Sequence, residues 1–163
     1  MKAVSNAGPL IHLSWIGELG LLDTLFDEVL VPEAVRSEVL RGNPTLPSVT
    51  ELGDAFATGR LRVRSVARTA DLSAILAELD PGESEAIVLA RDTRTDALLI
   101  DERRGRAYAQ RHSIPILGTI GILQLSRDLG LIPSVAPLLD LLRSRGFRVS
   151  SELMEQARQG DRP

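Results

Sequence analysis

Ala97-Leu98-Leu99-Ile100 is an unbroken apolar run with two acids, Asp101 and Glu102, directly behind it. A run this short is better suited to a strand than to a helix. A strand exposed on one face would alternate polar and apolar residues. The run therefore reads as a strand buried on both faces, the central position of a parallel sheet that has helices above and below it. Lys2-Ala3-Val4-Ser5, Glu28-Val29-Leu30-Val31 and Ile114-Pro115-Ile116-Leu117 have the same character, and Leu61 to Val66 alternates like a half-exposed strand.

Between these strands the sequence turns helical. Pro9 suits a first helical turn, and Leu10 to Gly17 continues until glycine stops it. Further helices are predicted over Glu18 to Phe26, Pro32 to Leu40, Ser48 to Thr58, Asp71 to Leu79, Glu83 to Arg91 and Glu102 to His112. Three more, Gly118 to Leu129, Ser134 to Arg145 and Ser150 to Arg158, close the chain. Strands separated by helices predict an α/β fold, a single three-layer α/β/α domain around a central parallel sheet. The domain is expected over residues 1–160, with 161–163 as a frayed tail.

At 163 residues the chain can bury a core without staples, and with no cysteine it has neither disulfides nor thiolate metal sites. The net charge of -3 offers nucleic acid no overall attraction, so any such binding needs a local basic patch. No stretch reaches the roughly 20 apolar residues of a membrane span. Asn6, Pro9, His12 and Glu18 interrupt the apolar start, against a signal peptide. The expectation is a cytoplasmic protein without membrane attachment.

In open parallel sheets, functional groups collect beyond the carboxyl ends of the strands, where strand order reverses. Asn6 follows the first strand, and Asp101 and Glu102 follow the Ala97 strand. Glu38 and Glu85, on separate helices, can add carboxylates. Oxygen donors brought from distant segments suit Mg²⁺ or Mn²⁺, which prefer carboxylate and water. Each residue also has an ordinary structural use. Asp101 and Glu102 can cap a helix, Glu83 and Glu85 suit a helix start, Glu38 suits a solvated helix face, and Asn6 before Gly8-Pro9 suits a turn.

Taken in order, VSNAGPLIHL, VPEAVRSEVL, LDPGESEAIVLA, LLIDERRGR and IPILGTIGIL resemble the PIN-domain superfamily of metal-dependent ribonucleases. The resemblance is to a bacterial branch allied to VapC-type toxins. It covers nearly the whole chain, down to GFRVSSELMEQA, and implies a PIN-like fold. It also implies a Mg²⁺- or Mn²⁺-dependent endoribonuclease, with an antitoxin protein as partner if the chain is a toxin. The four acid positions of the family fall on Asn6, Glu38, Glu85 and Asp101. Glu102 stands where relatives often carry a further acid, and Thr119 lies near the same pocket. Glu85 is preferred to Glu83 because Glu-Ala-Ile-Val-Leu-Ala parallels the family's acid-led helix start. On this reading Glu38, Glu85 and Asp101 are catalytic, and Asn6 and Glu102 join them around the metal. The departure is Asn6, whose amide can donate an oxygen but brings no charge and cannot act as a base.

Arg103, Arg104 and Arg106 follow the acids directly and are candidates for holding an RNA backbone, since phosphate contacts position a nucleic acid without reading its bases. The competing use is a solvated helix face, with Arg106 paired to Glu102. At 3% aromatic content an aromatic base-stacking platform is not expected. The alternative to an enzyme is a non-catalytic module that keeps the fold and binds RNA or a protein. The apolar residues crowded into Leu10 to Phe26, including Trp15, Leu22 and Phe26, allow either a buried core or a surface for a homodimer or partner.

Overall fold

The computed structural model describes residues 1–161. Its chain order is β1 (Lys2–Ser5), α1 (Ala7–Trp15), α2 (Leu21–Leu25), β2 (Glu28–Pro32), α3 (Glu33–Leu40), α4 (Pro47–Ala57), β3 (Arg62–Arg64) and α5 (Ala70–Leu76). It continues through α6 (Pro81–Thr93), β4 (Ala97–Leu99), α7 (Arg103–Arg111), β5 (Ile116–Leu117), α8 (Thr119–Asp128), α9 (Ala136–Ser144) and α10 (Ser151–Gly160).

All strands pair in parallel in the order β3-β2-β1-β4-β5. From β1 the chain builds outward through β2 to β3, then returns to the other side of β1 with β4 and β5. The order therefore reverses between β1 and β4, which makes the gap beyond their carboxyl ends the place for a ligand. The register Ser5↔Leu99 and the bond from the Asn6 amide to the Leu99 carbonyl (2.8 Å) bring Asn6 to the end of β4.

The strands alternate side chains between two cores, as a period of two requires. Ala3, Val29, Val31 and Leu99 pack with buried residues of α1, α3, α4, α8, α9 and α10. Val4, Leu30, Leu98 and Ile100 face the other way, against α5, α6 and α7. This is a three-layer α/β/α fold. Among the described residues no helix is long and apolar enough to cross a membrane.

Several boundaries differ from expectation. Gly8-Pro9 is not a turn before the first helix but its first turn, because Asn6 already stands at the N-cap. Leu10, Leu13, Ile16, Leu19, Leu22, Leu25 and Phe26 are buried in the larger core, with Ile11 and Trp15 packed against it. The crowded apolar segment is thus consumed inside the domain, and the argument for a partner surface there falls away. At the other end, α10 runs to Gly160, and Asp161 does not fray. Its carboxylate accepts the Val135 and Ala136 amides at 2.8 and 2.7 Å, holding the start of α9. Residues 162–163 lie outside the described part of the chain.

Candidate functional site

The switch point gathers residues from five segments: Asn6 after β1, Glu38 on α3, the start of α6 at Asp80 to Glu83, Asp101 after β4, and Thr119 at the start of α8.

Asp101 is the best-held member. Its Oδ1 accepts the Thr119 amide at 2.7 Å, and its Oδ2 accepts the Thr119 hydroxyl at 2.6 Å. His12 Nδ1 lies 2.7 Å from the same Oδ2. Burial pushes the Asp101 carboxyl up, but the bonds from His12 and Thr119 outweigh it, and the net pKa lies below the ordinary aspartate value. The side chain is held as a carboxylate, and Oδ1 keeps a free lone pair.

Asn6 is 3% exposed. It sits at the N-cap of α1, yet its side chain makes no capping bond, and Oδ1 is buried without a partner. A turn or cap residue would use that oxygen, and leaving it bare costs about 1–3 kcal/mol. Gly82 explains what faces it. A methyl group placed on Gly82 would lie 3.0 Å from Glu38 Oε2 and 3.4 Å from Asn6 Oδ1. The two oxygens therefore share one small space, kept open by the missing side chain. Asn6 Oδ1 is buried, whereas Glu38 is exposed to solvent, so together they offer a cation one buried neutral oxygen and one accessible carboxylate. Burial pushes the Glu38 carboxyl up, the Asp80 charge adds to the rise, Arg41 opposes it, and Glu102 adds again.

Glu85 does not join this group. Its carboxylate accepts the Ala34 amide at 3.4 Å and lines a separate depression with Glu33, Ser65 and Arg68. The charges acting on Glu38 are Asp80, Arg41 and Glu102. Glu83, two residues earlier on the same helix, is buried, with Oε1 3.1 Å from where a Gly105 methyl would stand. Glu83 also completes a capping box with Asp80, accepting the Asp80 amide at 3.2 Å while its own amide reaches Asp80 Oδ1 at 2.8 Å. Burial raises its pKa, the backbone bond at Asp80 opposes this, and the charges of Asp80 and Glu102 add to it, with Arg104 opposing. The Asp-Pro-Gly-Glu box was legible in the sequence. The turn of the helix that sends Glu85 to the α3 side was not.

Glu102 is exposed at the N-cap of α7 and makes no capping bond with its side chain. Arg106 does not pair with it. Instead, Arg106 Nη1 donates to the Ile100 carbonyl at 2.9 Å, close to Asp101. Arg103 and Arg106 line a cavity beside Asp101, whereas Arg104 turns away to donate to the Glu78 carbonyl. His12 was missed because only the contact with Asp101, 89 residues away, marks it.

Among the described residues no three histidine, aspartate or glutamate side chains converge to form a preassembled metal cage. The donors that are present, Asn6 Oδ1, Glu38 and the free side of Asp101, still suit a hard ion that keeps much of its water and takes only one or two carboxylates.

The fold and site define an open α/β protein with a parallel sheet and acidic residues at its switch point. The family model that matches residues 2–160 is that of the PIN domain, and the chain belongs to this family. PIN domains generally use divalent metals. No curated protein matches the chain.

Proposed function

We propose that this chain is a Mg²⁺- or Mn²⁺-dependent endoribonuclease with a weakened metal site. The observation that carries the proposal is the bare, buried Asn6 oxygen facing Glu38 across Gly82. A buried acceptor opposite a carboxylate, at the switch point of a PIN domain, is satisfied by a cation. Asn6, Glu38 and Asp101 would hold it, with Glu102 near enough to add charge through water. Bound there, such an ion would supply charge neutralisation for a phosphate under attack and would ease deprotonation of water.

The chain's own residues set the rest. Thr119 and His12 fix the Asp101 carboxylate, so its position costs nothing to organise when substrate arrives. Glu38 would bring to the ion the negative charge that the Asn6 amide lacks. Hydrolysis would form a bond from water oxygen to phosphorus, break the bond to the leaving ribose oxygen, and deliver the proton lost by the water to that leaving oxygen. On this reading the chain would act in the cytoplasm, as the toxin half of a toxin–antitoxin pair. Growth arrest on induction, reversed by a small neighbouring protein, would support that role.

Calorimetry with Mg²⁺ and Mn²⁺ tests the reading. Asn6→Asp restores a formal charge and is expected to tighten binding about tenfold, or about 1.4 kcal/mol. The same change should raise cleavage of single-stranded RNA, and Asp101→Asn should abolish it. The neutral Asn6, and the lack of a three-acid cage among the described residues, favour a second reading, a PIN module that binds RNA or protein without cutting. Absence of metal binding by both the natural chain and Asn6→Asp would establish that reading instead.

A further inference from the structure

The chain has one tryptophan, one tyrosine and three phenylalanines, yet two of these rings meet at a single histidine. The His12 ring centre lies 5.2 Å from that of Trp15 and 4.6 Å from that of Phe147, edge-on to both at interplanar angles of 63° and 75°. Edge-on contact sets the electron-poor rim of one ring against the electron-rich face of another, so it fixes orientation as well as burying area. The clamped imidazole has Nδ1 2.7 Å from Asp101 Oδ2. A carboxylate only accepts, so Nδ1 carries the hydrogen. Among the described residues Asp101 is the one hydrogen-bond partner of the His12 side chain, so the two aromatic rings decide its tilt. Trp15 is a local neighbour on α1, where i,i+3 side chains share a face. Phe147 comes from the other end of the chain.

Its delivery is built into the end of α9. Gly146 has a φ of 97°, a left-handed conformation that favours glycine. The Gly146 amide donates to the Arg143 carbonyl at 3.1 Å, and the Phe147 amide donates to the Leu142 carbonyl at 3.1 Å. These two bonds are the Schellman pattern, in which a left-handed residue ends the helix and the next one folds back on its last turn. Leu142 is buried in the larger core, and Phe147 packs against that same core. The Phe147 ring therefore reaches His12 on a fixed stem and not on a loose loop.

We propose that Phe147 is a positioning residue for Asp101, acting through His12: the phenylalanine ring sets the tilt of the imidazole that holds the carboxylate. His12 Nδ1 then holds Asp101 Oδ2 from the α1 side, while Thr119 holds both carboxylate oxygens from the start of α8. Bonds from two helices fix the carboxylate in two directions, and those from Thr119 alone would leave one of them open. The segment after α9 is on this view part of the support of the site, although it brings no acid to it. Its consequence for metal affinity rests on the metal site proposed above, whereas the orientation of the imidazole does not.

The test is nitrogen-edited proton NMR of the full chain without added metal, reading the His12 Nδ1–H resonance and its exchange with water, followed by calorimetry with Mn²⁺. Phe147→Ala is expected to speed that exchange about tenfold, because an imidazole clamped on one side only can swing its N–H off the acceptor. Phe147→Tyr keeps the ring and should restore the natural rate. Should Phe147→Ala not fold, Phe147→Leu, which keeps bulk without an aromatic edge, takes its place. Phe56→Ala removes another half-buried ring, one packed by Arg36, and should leave the His12 proton unmoved, which separates positioning from a general loss of stability. An unchanged rate in the Phe147 variant, an equal change in Phe56→Ala, or free exchange already in the natural chain would each overturn the proposal. Mn²⁺ affinity is expected to fall several-fold in Phe147→Ala, and faster exchange at unchanged affinity would overturn the step from His12 to Asp101. If the natural chain binds no Mn²⁺ while Phe147→Ala still frees the proton, the metal reading fails and Phe147 still positions the His12–Asp101 pair. If the natural chain binds Mn²⁺ and neither quantity changes in Phe147→Ala, the metal reading stands and the positioning role fails.

Discussion

Asn6 and Asp101 end two paired strands, yet the fold treats them in opposite ways. Asp101 has three donors turned toward it: the Thr119 amide, the Thr119 hydroxyl and the His12 ring. Asn6, the more deeply buried of the two, has an oxygen that nothing in the described chain satisfies, and its neighbour across Gly82 is another acceptor. One half of the site is completed by the protein and the other is left open. A carboxylate that is prepaid with hydrogen bonds stays in place without a ligand. Asn6 Oδ1 is buried and bare while Glu38 beside it is open to solvent, so this half of the site can take up a cation that the protein itself does not supply.

The largest test of this contrast is Asp101→Ala. It strands the Thr119 donors in a fully buried position and should cost about 3 kcal/mol in urea unfolding without added metal. A loss under about 1 kcal/mol would show that the donors are not committed to Asp101. Thr119→Val keeps the shape and removes only the hydroxyl, so a loss of about 1.5 kcal/mol is expected. The sign with pH follows from the lowered Asp101 pKa. Stability from these bonds is present above the ordinary aspartate value of about 3.9 and disappears as pH falls through the lower folded value. The Thr119→Val deficit should therefore shrink in acid, and a deficit constant with pH would remove the charged acceptor from the account.

The smallest effect belongs to the open half. The Glu38 pKa is raised, so its relative contribution is favourable below the unfolded value of about 4.3 and is lost as pH rises through the folded one. Glu38→Gln should then leave stability at neutral pH within about 0.5 kcal/mol, on the favourable side, and lose that advantage in acid. Destabilisation beyond this range would mean that Glu38, like Asp101, is already paired, and the contrast would collapse.

Much of the architecture was legible residue by residue. Ala97 to Ile100 is apolar at every position because both faces of a central strand are covered, and the burial of Leu98, Leu99 and Ile100 follows from that. Asn6 and Asp101 were recognisable as strand-end residues because a polar side chain after such a run has to leave the core. Thr119 was placed near the pocket by resemblance, and its two bonds to Asp101 give that placement a physical content. Local chemistry also wrote the Asp80 to Glu83 capping box, although the family pattern drew attention to Glu85 instead.

What the sequence determined by itself was therefore the kind of each segment and the polar residue that ends it, since period, length and caps are local properties. The tertiary structure decided which ends meet. Strand order 3-2-1-4-5 sets Asn6 beside Asp101, and no local signal carries strand order. It sent Glu85 toward Ala34 and Glu83 toward Gly105, a choice made by how α6 is rotated against α3 and α7. It joined His12 to Asp101 and Asp161 to the start of α9 across 89 and 25 to 26 residues. It also left the Asn6 oxygen bare, because only packing from several segments at once can bury an atom and withhold every partner from it.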